Sequence, residues 1–162
     1  MIILPSEILS SVVSLSKNIV NTMNALEIIN NIIEIAEGDI RVHSVYNDDP
    51  YERWNNKEIR YNSVCVDLEN AVSYMDYTDY NFVLYSADVL VNGEDNFTQL
   101  QTTAISVLMN ILNRLDKDND NIDVVFPVQY QPFTQSFADL LAGAYVRFAV
   151  RVDNQYICDE EI

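Results

Sequence analysis

Residues 80–91 (YNFVLYSADVLV) place the tightest restriction on what this chain can fold into. Val83, Tyr85, Ala87, Val89 and Val91 are all apolar or aromatic and form one buried face of a strand. The opposite positions Phe82, Leu84 and Leu90 are apolar as well, interrupted by Ser86 and Asp88. A strand that is hydrophobic on both faces needs cover on both, which puts it in the middle of a sheet. Residues 144–152 alternate differently: Ala144, Val146, Phe148, Val150 and Val152 turn one way, and Tyr145, Arg147, Ala149 and Arg151 the other. That strand has a core face and a polar face.

Around these two strands the sequence predicts helices. Residues 5–36 read as helical, with Pro5 in the first turn and Glu7 near the positive end. Ile8, Val12, Leu15, Ile19, Met23 and Leu26 make one apolar stripe. The polar run 21–24 divides the segment, and Leu26, Ile29, Ile32, Ile33 and Ala36 carry a second stretch that Gly38 stops. Phe97, Leu100, Ala104, Leu108, Ile111 and Leu115 predict an amphipathic helix over 96–116, capped by Asp95 or Asn96. Short strands are expected at 40–46, at 63–68 (Val64, Val66 and Leu68 inward) and at 122–128, the last ended early or held at an edge by Pro127. Residues 47–60, 70–79 and 132–143 read as loops or turns, the last closed by Gly143. The order α(α)βββαββ predicts one α+β domain over residues 1–162, a mostly antiparallel sheet packed against N-terminal and central helices. It comprises N-terminal helices at 5–36, a core at 39–152 and an acidic tail at 153–162.

Charge narrows the function. With 25 acidic against 9 basic residues and a net charge of −16, the chain repels phosphate at long range. Sequence-independent binding to nucleic acid or anionic membranes is therefore disfavoured. No basic n-region precedes the apolar N-terminus, and no run reaches the ~18 apolar residues of a membrane span, so synthesis in a cytoplasm is expected. Cys65 and Cys158 are too few for a disulfide framework and read as reduced thiols. Asp116, Asp118 and Asp120 match the first positions of a calcium loop, but the turn glycine is Asn121 and the twelfth position is Pro127, so no metal is expected. His43 has no zinc or triad partners and reads as an ordinary strand residue. No glycine-rich phosphate loop exists, no cofactor is expected, and the chain reads as a non-enzyme. Asp88, inside an apolar strand, is the carboxylate best placed for a raised pKa, though hydrogen bonding at a sheet end or interface fits it better.

Aromatic side chains remain. Tyr51 and Trp54 in the polar segment 47–60, Tyr74 and Tyr77 in 70–79 and Tyr80 directly after it form a cluster, where such residues serve either as interface anchors or as parts of the loop's own core. Together with Asp88, Arg147 and Arg151 they form the candidate subunit interface.

The order and spacing of several stretches resemble the tail-terminator and neck-ring proteins of crAss-like bacteriophages. These stretches are Gly38-Asp39-Ile40 followed by Tyr46 and a Pro/Trp loop; Leu84-Tyr85-Ser86-Ala87-Asp88-Val89-Leu90, then Asn96 opening a helix with Gln99 and Gln101; and Pro132-Phe133, Phe137-Ala138-Asp139 and Leu141-Ala142-Gly143 before a last strand with a cysteine soon after. Ala144-Tyr145 stands where an aromatic residue often follows the glycine directly. The resemblance implies a tail-terminator-like sandwich and a virion protein in the neck or tail. It also implies a homo-oligomeric ring between portal and tail proteins, through which DNA passes without specific binding. About twelve copies are expected, with about six as the alternative. Two rival classes are an acidic DNA mimic, or other inhibitor that binds a host protein, and a small hydrolase or lyase. A mimic would space its carboxylates regularly on one face; an enzyme would converge polar groups in a pocket.

Overall fold

The computed structural model describes residues 23–55, 61–90, 96–136 and 139–154. The expected helix before residue 23 and the acidic tail after 154 lie outside the described residues, as do Val91, Gly93 and Phe137.

The first helix, α1 (Ala25–Glu37), begins where the polar run predicted a break. Asn24 Oδ1 accepts from the Glu27 backbone nitrogen at 2.9 Å, and Glu27 Oε2 accepts from the Asn24 nitrogen at 2.9 Å. This reciprocal pair satisfies two amide hydrogens that a helix start leaves without partners. The buried face is Ile28, Ile29, Ile32, Ile35 and Ala36. Leu26, expected inside, is 62% exposed because it lies across the helix from that stripe. After the Gly38 cap the expected strand over 40–46 shrinks to β1 (Ser44–Tyr46). Asp39 Oδ1 takes the Arg41 backbone nitrogen at 3.0 Å and curls residues 39–41 into a turn instead.

The expected loop at 47–60 contains a short helix, α2 (Pro50–Trp54). Asp49 caps it by accepting from the Tyr51 nitrogen at 2.9 Å, and Pro50 occupies the first turn where its missing N–H costs nothing. The expected turn at 70–79 is instead mostly sheet. β2 (Ser63–Ser73) and β3 (Tyr77–Val89) form one long hairpin whose tip is only Tyr74–Asp76, closed by the Tyr74 nitrogen donating to the Tyr77 carbonyl at 2.7 Å. The polar side chains that read as a turn are satisfied across the strands: Asn81 Nδ2 donates to Asn70 Oδ1 at 2.7 Å, and the Ser73 and Thr78 hydroxyls pair at 3.1 Å.

Helix α3 (Phe97–Asp118) buries Ala104, Val107, Leu108, Ile111, Leu112 and Leu115. β4 (Ile122–Val124) ends before Pro127. The expected loop over 132–143 is replaced by β5 (Tyr130–Ser136) and the start of β6 (Leu140–Asp153). Pro132 is tolerated there because β5 is an edge strand. Gly143 closes no loop: it pairs with Ala87 inside β6, where an added Cβ would lie 2.0 Å from the Ser86 carbonyl oxygen.

The sheet order is β1-β2-β3-β6-β4, with β5 also on β6; β1 and β2 run parallel and every other pair is antiparallel. The fold is thus α+β with a mostly antiparallel sheet. β3 is central and covered on both faces, as its composition requires. On one face α1 and α3 pack over Val64, Val66, Phe82, Leu84, Val146 and Val150. Ser86 lies on that face and is satisfied by donating to Asn62 Oδ1 at 3.4 Å. On the other face a smaller cluster gathers Trp54, Cys65, Ala87 and Leu141, flanked by Tyr85 and Phe133. Among the described residues no helix is long and apolar enough to cross a membrane.

Candidate assembly surfaces

The far edges of the two outer long strands are treated differently. On β6, two short strands lie end to end: β5 along Leu140–Val146 and β4 along Val150–Val152. On β2, β1 covers only Ser63–Cys65. From residue 66 to 73 the outer edge of β2 has no strand partner among the described residues. Leu68 and Val72 are exposed along this stretch, and Tyr74 and Met75 at the tip beyond it. An unpaired strand edge bearing apolar side chains is a template for another strand.

The hairpin arm is held rigidly. Arg151 Nε and a terminal nitrogen bind the two oxygens of Asp79, each at 2.9 Å, and the guanidinium lies 3.9 Å from the centre of the Tyr77 ring. Tyr77 in turn packs on Tyr74, with ring centres 4.7 Å apart. Asn154 Nδ2 donates to the Tyr74 carbonyl at 2.7 Å. Arg151 and Tyr77 therefore stiffen the arm, and Tyr74 stands exposed at its end. Tyr80 packs against the helix-side core. Asp88 accepts from the Val89 nitrogen at 2.8 Å, a hydrogen bond at the end of β3.

Trp54 is 1% exposed, so of the two roles open to it in the sequence it takes the second, as the centre of its own loop's core. Its Nε1 donates to Ser63 Oγ at 3.2 Å. Its ring meets Tyr85 edge-on at 6.1 Å and stacks on Phe133 at 6.0 Å. Tyr51 is exposed beside it on α2. With Tyr145 and Arg147 these rings line an open cavity of about 130 Å³. Arg147 ion-pairs with Glu69 at 3.1 Å and lies 5.4 Å from the Tyr145 ring centre. Burial pushes the Tyr85 hydroxyl and the Cys65 thiol each up to about 12, so both are neutral at physiological pH. Burial, with Asp49 and Glu69 adding to it, also raises the Asp67 carboxyl.

The structure therefore splits the candidate residues. Tyr51, Trp54 and Arg147 meet at the cavity; Tyr74, Tyr77 and Arg151 meet on the arm; Tyr80 and Asp88 join neither. Sequence reading missed Phe133, Tyr145 and Ile40. Alternation in 144–152 already placed Tyr145 outward, but Phe133 was hidden by reading its strand as a loop. Ile40 is 94% exposed, on the turn that replaced the expected strand.

Among the described residues each arginine is bound to an acid: Arg41 to Asp39, Arg53 to Asp48, Arg114 to Asp118, Arg147 to Glu69 and Arg151 to Asp79. Asp116, first of the calcium-like run, instead accepts from the Val124 nitrogen at 3.0 Å and ties α3 to β4. No group of His, Cys, Asp or Glu among the described residues is placed to hold a metal ion. His43 lies just before β1, its Nδ1 2.6 Å from the Tyr61 carbonyl oxygen, in a backbone contact.

These surfaces belong to an α+β domain built around an asymmetric sheet, with a long stretch of the β2 edge that has no strand partner among the described residues and an aromatic cavity on the face away from the helices. The chain matches no protein-family model, and no curated protein matches it.

Proposed function

We propose that this chain is a structural subunit that assembles with copies of itself into a ring, serving in the head-to-tail connector or tail of a bacteriophage around the DNA channel. The carrying observation is the outer edge of β2 over residues 66–73, which lacks a strand partner, displays Leu68 and Val72, and ends on a braced aromatic tip. Joined to a different surface of the next copy, such an edge makes a heterologous contact, and contacts of that kind close into rings when the rotation per subunit divides a full turn. The pairing of the described arginines with acids supports the same reading. A bore left with net negative charge offers DNA no ammonium or guanidinium groups to replace its counterions, so the duplex slides. Portal, ring or tail proteins stacked above and below would be its other partners. The resemblance in residue order and spacing to neck and tail rings of crAss-like phages points the same way.

Sedimentation velocity and negative-stain imaging of the purified full-length chain test this. Closed rings are the expected result. Val72→Lys puts a charge on the open edge and is expected to weaken assembly at least tenfold while leaving the fold intact. A chain that stays monomeric up to high micromolar concentration, or that instead binds a basic host enzyme tightly, would overturn the reading.

A further inference from the structure

We propose that Ile40 of one copy docks in the aromatic cavity of the next, so that knob and socket form a second contact of the ring. This inference rests on the self-assembly reading above and gives it a specific seat. Ile40 is the most exposed large hydrophobic side chain among the described residues, at 94%. It is not on a loose loop. Asp39 accepts from the Arg41 backbone nitrogen at 3.0 Å, from Arg41 Nε at 2.9 Å, from an Arg41 terminal nitrogen at 2.6 Å and from Asn110 Nδ2 at 3.1 Å. Arg41 also donates to Ser106 Oγ at 2.8 Å, so the turn is fastened to α3 at both sides of Ile40. A backbone turn held this firmly loses little freedom on binding, so only the Ile40 side chain has to be ordered.

The cavity suits it. Trp54, Tyr85, Phe133 and Tyr145 supply aromatic walls, and the volume of about 130 Å³ is close to that of apolar cavities that admit a benzene-sized guest at ~150 Å³. A branched four-carbon side chain is smaller than that guest. The charges match as well. Exposed Glu37 precedes Ile40 and Arg41 follows it, while Arg147 lines the cavity and exposed Asp49 and Glu52 flank its α2 wall. Glu37 would approach Arg147 beside its Glu69 partner, and Arg41, held by Asp39, would lie near the α2 acids.

Knob and socket lie on opposite faces of the sheet. The turn is tied to α3 on the helix face, and the cavity opens on the other. A copy therefore cannot fill its own socket, and successive copies join head to tail, the geometry a ring requires.

Cysteine cross-linking tests the contact. In a Cys158→Ser background, Ile40→Cys and Gln135→Cys are combined in one full-length chain and oxidised; Gln135 lines the cavity and Cys65 is buried. A ladder of covalent multimers is expected from the double variant, and only dimers from an equal mixture of the two single variants. Ile40→Asp is expected to weaken association about tenfold or more with unchanged thermal unfolding. If the wild-type chain assembles but no ladder forms, or if Ile40→Asp assembles equally well, this contact is wrong and the ring reading survives. If the wild-type chain stays monomeric, both fall.

Discussion

Single residues in this protein have their roles set by what approaches them. Gly143 is required because β3 and β6 come so close that a Cβ would sit 2.0 Å from one carbonyl oxygen and 2.8 Å from the Ala87 Cα. Both are backbone positions that a rotamer change cannot move. Gly143→Ala is therefore expected to destabilise the fold by about 3 kcal/mol, measured as a lowered urea midpoint. Asp39 is the other residue of this kind. Hydrogen bonds from Arg41 outweigh the opposing effect of burial and hold its carboxyl at about 2, below the ~3.9 of an unfolded chain. Its contribution is complete above pH ~4 and is lost as pH falls from there through about 2. Removing it costs on the order of 2 kcal/mol. Asp39→Asn should flatten the acid limb of stability between pH 4 and 2; an unchanged limb would show that other carboxylates carry it. In the sequence Gly143 was visible only as a turn signal and Asp39 only as a residue between a helix stop and an expected strand, because neither the close approach at Gly143 nor the distant Asn110 is encoded nearby.

At the scale of elements, the strongly periodic segments were legible and the weakly patterned ones were not. α3, β6 and the centre of β3 follow directly from their apolar spacing. α2 and β5 do not. A five-residue helix has too few positions to show a period, and Asp49-Pro50 was its only sequence signal. β5 carries Pro132 and two glutamines, a loop-like composition, and exists because β6 extends far enough to hydrogen-bond it. The capping of α2 gives a direct test. Asp49→Ala should cost about 1 kcal/mol and loosen the helix that seats Trp54. Trp54 is the only tryptophan, so its fluorescence should shift to the red at denaturant concentrations below the global transition. A single unshifted transition would show that α2 is held by Trp54 packing and by Arg53 over the Tyr46 ring, not by its cap.

The whole molecule carries a net charge of −16, so copies repel one another before any contact forms. Raising salt from about 20 to 200 mM shortens the screening length to below ~10 Å and should strengthen self-association in sedimentation experiments. Weakening with salt would mean that ion pairs, and not apolar side chains at the β2 edge and in the cavity, dominate the contact. The sequence by itself determined the class of the fold. Period-two and helical spacing are local properties, and a strand apolar on both faces can only be central. Which residues remain at the surface was decided by the tertiary structure. Trp54 and Tyr80 pack inward, while Tyr74, Met75 and Ile40 stay outside, although nearby residues look equally apolar or equally polar in sequence. Exposure depends on which distant strands and helices arrive to cover a side chain, and the chain's order alone does not contain that.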